Sequence, residues 1–424
     1  MLPSGRWWNR SSSAALCGGL LLAGLLLTLF SRPDVNGLRV ASWKCPSWSL
    51  AAPPAMGMPA GPDDSYAGEE GFAALVFNGQ LYLGMEADNT LGARLWRTRQ
   101  GIARPQQLSD WEEVIADLAG RPFGLSDIAQ NDHVDSLAVF HDQLYVTTAN
   151  RSLYRSGFRV FRSPSGNPGS WRPADEELGA GFGDLNNENL KGLTVFGEWL
   201  CGGTWNETAG AAVWCTRDGR HWRRKSPPGV GAQPMHIAWT LLAHQGALYV
   251  AGQSLGNPDD PFDDRALVYR TRSLDGSLPW ELVLDGGNAS GRALLLGVFQ
   301  HEIYLTTRSP AGVRVWRSES GAPASWQASS LPGMNRDRYN MDTIAGGGQV
   351  LGAYLYLSVY NPHSGVQLWR TPDGRPDTWK SVAPPGLNDY RNFAAVLVDF
   401  RNTLYAWTSN PVLGQQILRA GCFP

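Results

Sequence analysis

The chain has 424 residues, of which 17% are charged, and its formal net charge is −2 at pH 7. Its 49 glycines and 18 tryptophans favour short strands joined by tight turns over long amphipathic helices. The sequence has no long run of lysines and arginines, which argues against a nucleic-acid partner, because such proteins need a basic surface to displace counterions from phosphate.

The first forty residues differ from the rest of the chain. Arg6 and Arg10 precede a run without charges, Ala14 to Phe30, whose length lies at the border between a signal-peptide core and a spanning helix. Because no small-residue cleavage site follows closely, we favour an uncleaved signal anchor, and a cleaved signal peptide stays the alternative. The predicted segments are a cytoplasmic stretch at 1–13, the anchor at 14–31, a tether at 32–38 and a folded domain at 39–424. That domain would lie outside the cytoplasm, membrane-anchored, or secreted if the anchor is cleaved.

One sequence unit recurs along residues 39–424. It begins with an apolar stretch and Phe-x-x-x-Leu-Tyr, continues with an apolar-aromatic-Arg-Ser/Thr stretch, and ends with a turn and a Trp. In the first unit these parts are Phe77 to Tyr82, Leu95 to Thr98 and Trp111. The later units have their corresponding first residues at Phe140, Phe196, His244, Phe299, Leu351 and Phe400. Each unit offers four short strands separated by turn residues, which is the pattern of a propeller blade.

The seventh unit ends before its fourth strand. The segment from Trp48, Trp-Ser-Leu-Ala-Ala-Pro-Pro, is similar to the segment from Trp379, Trp-Lys-Ser-Val-Ala-Pro-Pro, which supplies the fourth strand of the sixth unit. We therefore expect the strand near Trp48 to lie beside the strand at 417–420. The predicted fold class is all-β, a seven-bladed β-propeller of four-stranded antiparallel blades. An N-terminal strand closes the ring, and the signal-anchor helix precedes it.

Four of the five cysteines lie outside the apolar run. The other six units carry Tyr and Arg at two positions that a hairpin places opposite each other, whereas the third unit has Cys201 and Cys215 there. We predict a disulfide between these two cysteines. Cys45 and Cys422 flank the expected closure, and a bond between them would be worth about 5 kcal/mol in the chain-entropy model. Two disulfides would indicate an oxidising compartment.

Two turns of the chain resemble the Asp-box, or BNR, repeat of the sialidase superfamily. They are Thr216-Arg-Asp-Gly-Arg-His-Trp222 and Thr371-Pro-Asp-Gly-Arg-Pro-Asp-Thr-Trp379, and degenerate copies without the Asp begin at Ser163 and Ser318. The resemblance implies a propeller in which the box is a turn at the rim, remote from the active face. In such a turn the Asp caps backbone amides, the Gly takes a positive φ and the Trp packs between blades.

Familiar catalytic motifs are missing from the sequence. There is no Gly-x-Ser-x-Gly, no His-Glu-x-x-His and no phosphate loop, and the histidines are dispersed without metal-ligand spacing. A sialidase-like enzyme needs three converging arginines, but most candidates here share one repeated position, which favours a structural role. They are Arg97, Arg162, Arg270, Arg317, Arg370 and Arg419. We therefore assign no catalytic residue and no metal ligand.

Polar residues outside the repeat concentrate before the first strand of several units. Because these loops connect an outer strand to the next innermost strand, we expect them at one mouth of the central channel. The candidate binding residues are Asp127, Asp132, His133, Asp135, Asn187, Glu188, Asn189, Arg336, Asp337, Asp342, Asn388 and Asp389. They offer a polar pocket for a glycan or a weak Ca²⁺ site, and no other cofactor is expected. The alternative is that Asn, Asp and Gly simply form these turns.

These observations predict a membrane-tethered propeller that binds a glycan or a protein without catalysis. The alternative is a sialidase-like glycoside hydrolase or lyase with carboxylates at the channel mouth, drawn from Asp127, Asp135, Glu188 and Asp342. A structural role in an assembly is a third hypothesis, and the oligomeric state stays open.

Overall fold

The computed structural model describes residues 47–58, 70–86, 93–115, 131, 133–150, 156–257 and 263–421. Within these ranges the fold is all-β, and 28 strands form antiparallel sheets. The expected anchor and tether lie outside the described residues, as do Cys45, Cys422, Asp127 and Asp132. None of the helices in the described part of the chain is long and apolar enough to cross a membrane.

The first strand, β1 (Trp48–Leu50), precedes a series of four-stranded groups in which consecutive strands pair. The first group is β2 (Gly71–Phe77), β3 (Gln80–Met85), β4 (Arg94–Thr98) and β5 (Trp111–Glu113). The second is β6 (His133–Phe140), β7 (Gln143–Ala149), β8 (Val160–Ser163) and β9 (Arg172–Pro173). The third is β10 (Asn189–Phe196), β11 (Trp199–Trp205), β12 (Val213–Thr216) and β13 (Arg223–Arg224).

Three further groups and a final set of three strands follow. The fourth group is β14 (Ile237–His244), β15 (Ala247–Ser254), β16 (Arg265–Thr271) and β17 (Glu281–Asp285). The fifth is β18 (Ala293–Phe299), β19 (Glu302–Thr307), β20 (Arg314–Ser318) and β21 (Gln327–Ala328). The sixth is β22 (Gly348–Leu351), β23 (Tyr354–Val359), β24 (Gln367–Thr371) and β25 (Lys380–Ser381). The last strands are β26 (Ala394–Asp399), β27 (Leu404–Ser409) and β28 (Gln416–Ala420).

Helical segments are short and lie in the connections. They are the 3₁₀ turns Pro54–Gly57, Leu108–Asp110, Ala180–Gly183 and Pro385–Asn388, and one α-helical turn, Gly333–Arg336. Single bridges, Asn189 to Ala149 and Trp205 to Ile237, join the second, third and fourth groups into one sheet.

Two observations show how the sheets are arranged. β1 pairs antiparallel with β28, and Trp48 lies opposite Ala420. The first strand of each group contacts that of the next, from β2 through β6, β10, β14, β18 and β22 to β26, and β26 in turn contacts β2. The sheets therefore stand around a common axis with their first strands innermost, which is the architecture of a β-propeller.

Neighbouring groups pack through a repeated contact between a tyrosine and a turn glycine. The tyrosine of Phe-x-x-x-Leu-Tyr is buried, and a Cβ built on the turn glycine of the next group would overlap its hydroxyl. The pairs are Tyr82 with Gly166, Tyr145 with Gly219, Tyr249 with Gly321 and Tyr304 with Gly374. These glycines also have positive φ, +72° at Gly219 and +67° at Gly374. Glycine is thus required there by both space and backbone conformation.

The box-like turns make the contacts expected of them. In the third group, Asp218 accepts hydrogen bonds from the backbone N–H groups of Arg220 and His221, both at 2.9 Å. Trp222 Nε1 donates to the Ala174 carbonyl of the preceding group at 2.9 Å, and Trp379 Nε1 donates to that of Ser329 at 2.7 Å. Each tryptophan therefore ties its sheet to the one before it.

The arginine that recurs in the repeat makes hydrogen bonds within the fold, which agrees with the structural role expected of it. Arg97 donates to the Tyr82 hydroxyl at 2.9 Å and to Glu112 at 2.7 Å. In the sixth group Arg370 donates to the Tyr356 hydroxyl at 3.2 Å. These two guanidinium groups thus satisfy the buried phenol oxygens of their own sheets, whereas Arg162 of the second group donates to Gln143 at 2.6 Å.

The third group departs from this contact and confirms the expected disulfide. Cys201 and Cys215 lie opposite each other on β11 and β12 and are bonded. Leu274 of the next group stands at the sequence position that is glycine in five of the other six units, and it packs in the same buried cluster as the two cysteines. Where the tyrosine is replaced by a smaller residue, the glycine beneath it is replaced by a larger one.

Candidate binding site at the channel

Three loops that precede inner strands contain the same hydrogen-bonded arrangement, called the amide network below. Asn206 donates from Nδ2 to Asp184 and to Asn187, both at 2.9 Å, and its Oδ1 accepts the backbone N–H groups of Thr208 and Ala209. The equivalent triplets are Asn361 with Asp337 and Asn340, and Asn410 with Asp389 and Asn392. In each network the side chains bind one another and their own backbone, as in turns stabilised by Asx residues.

Several predicted site residues belong to these networks. Asn187 donates to the Gly181 carbonyl at 2.8 Å, and Asp337 accepts the backbone N–H of Tyr339 at 3.0 Å. Burial alone would raise the pKa of Asp389, but hydrogen bonds from Arg391 and Asn410 hold it below its usual value. Two other candidates, Arg336 and Asn388, are exposed at positive φ, 61° and 79°. Here the loop side chains stabilise the loops.

A different set of polar residues lies on or beside the inner strands. Lys191 Nζ is 2.6 Å from Asp135 Oδ1, and the two side chains are 6% and 2% exposed. Asn189 also donates to Asp135. Arg292 is 3.2 Å from Asp342, and their side chains are 16% and 10% exposed. Two nearly buried ion pairs therefore lie close to the propeller axis.

Aromatic rings connect these ion pairs. The Lys191 ammonium is 5.2 Å and the Arg292 guanidinium carbon 4.7 Å from the ring centroid of Trp239. The Lys191 ammonium also lies 5.8 Å from the ring centroid of Phe72, and the Phe72 and His133 rings are in tilted contact with their centroids 4.7 Å apart. Such contacts between cations and ring faces are favourable where water is excluded.

His133 connects these ion pairs and aromatic rings to two glutamates. His133 Nε2 lies 3.6 Å from Glu70 Oε2 and 3.5 Å from Glu86 Oε2. The imidazole is 2% exposed, and the glutamate side chains are 8% and 13% exposed. The whole set is called the channel cluster below: Glu70, Phe72, Glu86, His133, Asp135, Asn189, Lys191, Trp239, Arg292 and Asp342.

Local irregularities of the inner strands position three members of the channel cluster. The pairing register shifts at Phe72 in β2, at Asp135 in β6 and at Trp239 in β14. A β-bulge inserts one residue and re-aims its side chain, and bulges often occur beside functional sites. Because these strands are innermost, the bulged residues lie close to the propeller axis.

The structure brings four of the predicted residues into the channel cluster, namely His133, Asp135, Asn189 and Asp342. Glu188 lies next to it, where its backbone N–H donates to the Trp205 carbonyl at 3.0 Å. The pattern of polar loops did not predict the other members of the channel cluster, because those residues lie on or next to the inner strands. A signal was present, since Lys191 and Arg292 interrupt or directly precede otherwise apolar stretches, Asn-Leu-Lys-Gly-Leu and Gly-Arg-Ala-Leu-Leu.

No protein-family model matches this chain, and no curated protein matches it in sequence. Among solved structures it is similar to a Mycobacterium tuberculosis puromycin-hydrolyzing peptidase, with a TM-score of 0.51 and 14% identity over 88% of this chain and 53% of that chain. Polysaccharide lyase Uly1 has a TM-score of 0.49 and 12% identity over 86% of this chain and 90% of its own. A Trypanosoma rangeli sialidase has a TM-score of 0.44 and 11% identity over 84% and 54%. Identities this low show a shared fold alone.

Proposed function

We propose that residues 39–424 form a seven-bladed propeller, closed by β1, that lies outside the cytoplasm on a membrane anchor and binds a glycan without catalysis. The pairing of β1 with β28 and the contact of β26 with β2 support a closed ring of seven sheets. The Cys201–Cys215 disulfide supports an oxidising compartment. The sequence of the anchor supports the tether.

The observation that carries the binding proposal is the charge buried in the channel cluster. Desolvating an ion pair costs several kcal/mol per ion, and replacing such a pair with apolar residues is often neutral or stabilising. Among the described residues, the pairs of Lys191 with Asp135 and of Arg292 with Asp342 each occur once and are not part of the repeat that forms the blades. A propeller does not need them for its packing, so we assign them to ligand recognition.

The chemistry of the cluster fits a sugar. Ligand pockets combine aromatic faces with a few placed polar groups, and here Phe72 and Trp239 lie beside carboxylates and the Asn189 amide. Four carboxylates face two fixed cations in the cluster, which favours a neutral or amino sugar over a polyanion. Because these groups lie on or beside the innermost strands, a narrow glycan end can approach them more readily than a protein surface can.

Thermal stabilisation of the purified full chain by a panel of neutral, amino and sialylated sugars tests this proposal. A ligand at 100 times its Kd adds about 2.7 kcal/mol to stability, which raises Tm measurably. The shift should disappear when Asp135→Asn and Asp342→Asn are combined. It should persist in the matched control Asp337→Asn, whose carboxylate belongs to an amide network. A shift that survives in the channel variant would contradict the proposed site.

A second candidate function, a glycoside hydrolase or lyase, is favoured by Glu70, Glu86 and His133. Their ligand atoms lie within 4.8 Å of one another, and retaining glycosidases hold two carboxyl groups about 5–5.5 Å apart. This hypothesis requires that a sugar bound by the wild-type chain be converted to products, and that Glu86→Gln stop the conversion without loss of binding. Mass spectrometry of the bound sugar decides between binding and turnover.

A further inference from the structure

Glu70, Glu86 and His133, called the Glu–Glu–His site below, combine residue types that bind metal ions. Glu70 and Glu86 are neighbours across β2 and β3, because Gly71 pairs with Met85 and the Glu86 N–H donates to the Glu70 carbonyl at 3.1 Å. His133 begins β6 of the next group, opposite Ala149. Three ligands thus come from paired backbone of two adjacent sheets, which holds them more rigidly than loops would.

The separations within the Glu–Glu–His site match those of ligands around a small cation. Zinc binds imidazole nitrogen and carboxylate oxygen at about 2.0–2.2 Å in tetrahedral geometry, so neighbouring ligand atoms lie about 3.3–3.6 Å apart. The observed distances from His133 Nε2 are 3.6 Å to Glu70 and 3.5 Å to Glu86. Direct hydrogen bonds would be shorter, at about 2.7–3.2 Å. The spacing of these two pairs therefore suits a bound ion, and all three ligand atoms lie within 4.8 Å of one another.

The charge of the Glu–Glu–His site also favours a bound cation. Two carboxylates with 8% and 13% exposed side chains face one imidazole that is 2% exposed. A divalent cation held by both carboxylates and a neutral imidazole would neutralise both carboxylate charges within the site. The nearby Lys191 ammonium is committed to Asp135 at 2.6 Å. A cation between the two carboxylates would lower the cost of holding both charges away from water.

We propose that Glu70, Glu86 and His133 bind one divalent transition-metal ion, with zinc as the expected occupant. One nitrogen and two oxygen ligands suit zinc, whereas calcium takes six to eight oxygens. Three protein ligands leave a further coordination position, which a water molecule or a ligand oxygen can occupy. This inference is separate from the proposed glycan binding, because the metal is bound with or without a sugar.

Metal content of the purified full chain is the direct test. The chain is stripped with a chelator, incubated with Zn²⁺, passed through gel filtration and analysed by elemental mass spectrometry. The wild-type chain should retain one zinc per chain, and zinc should raise its Tm. Glu86→Gln and His133→Gln should weaken zinc binding by roughly 100-fold or more, since losing even an outer-shell partner costs 10–100-fold. No sugar is present, so the result is independent of glycan binding.

The matched control is Glu113→Gln, which removes a carboxylate paired with Arg94 on β4 and β5. It should retain one zinc per chain. If His133→Gln does not fold, Glu86→Gln decides, because it keeps the shape of the less buried glutamate. A wild-type chain that retains no zinc overturns the proposal, as does retention by Glu86→Gln equal to that of wild type.

Discussion

The amide networks and the channel cluster are both polar and both near the propeller mouth, yet their residues do different things. In the part of the chain that the structure describes, the networks repeat three times with the same residue types and bind their own backbone. The channel cluster occurs once, lies on or beside the inner strands and buries opposite charges at bulges and strand ends. Polar residues that depart from the repeat are therefore the better candidates for function, because the blades do not need them for packing.

The largest expected effect on stability comes from breaking the ion pair of Lys191 and Asp135 in the channel cluster. Lys191→Met should lower the free energy of unfolding by about 3–5 kcal/mol, because it leaves the Asp135 carboxylate buried without its cation. Adding Asp135→Leu should recover most of this loss, since the charge is then gone. Urea unfolding of the single and double variants measures both effects. A loss below about 1 kcal/mol would mean that the pair is well solvated.

Leu274 tests whether every departure from the repeat is functional. Leu274→Ala should cost about 2–3 kcal/mol, because it opens a cavity beside the disulfide cysteines. Sugar and zinc binding should be unchanged, which would mark this departure as a packing compensation. The reverse change, Gly219→Ala, should also destabilise, because its Cβ would overlap the Tyr145 hydroxyl. Chemical denaturation of both variants checks the pairing of large and small residues.

A smaller effect is expected in the amide networks. Asn206→Ala should cost about 1–3 kcal/mol, because it leaves Asp184, Asn187 and two backbone N–H groups without their partner. Equivalent replacements at Asn361 and Asn410 should give similar losses, and none should alter ligand binding at the channel. Unequal losses of stability, or loss of ligand binding in all three variants, would contradict a structural role for the amide networks and a binding role for the channel cluster.

The smallest expected effect is on the pH dependence of stability. Burial alone would raise the pKa values of Asp184 and Asp389, but hydrogen bonds from Asn186 and Asn206, and from Arg391 and Asn410, hold both below their usual value. A carboxylate whose pKa is lower in the folded state stabilises fully above its unfolded pKa, about 3.9, and less as pH falls through the folded pKa. Thermal unfolding between pH 6 and pH 2.5 should show this loss below about pH 4. Asp184→Asn should reduce this dependence of Tm on pH.

Much of the fold could be predicted from the sequence because the repeat constrains it several times. Alignment of the units placed the third strands, such as Val213–Thr216, and paired the segment at Trp48 with the last strand. The same alignment put Cys201 opposite Cys215, since a hairpin register fixes which residues face each other. The candidate site was predicted only in part. His133, Asp135, Asn189 and Asp342 were named, but their partners on the inner strands were not.

The sequence by itself determined the four-stranded unit, its turns and the residues that join one unit to the next, because these depend on local pattern and on repetition. Only the tertiary structure decided which single-copy residues meet at the axis. Glu70, Glu86 and His133 come from two neighbouring groups, just before β2, just after β3 and at the start of β6, and Lys191, Trp239 and Arg292 come from three groups. Their meeting depends on bulges and on the packing of inner strands, which involve contacts distant in sequence. No local pattern encodes that proximity.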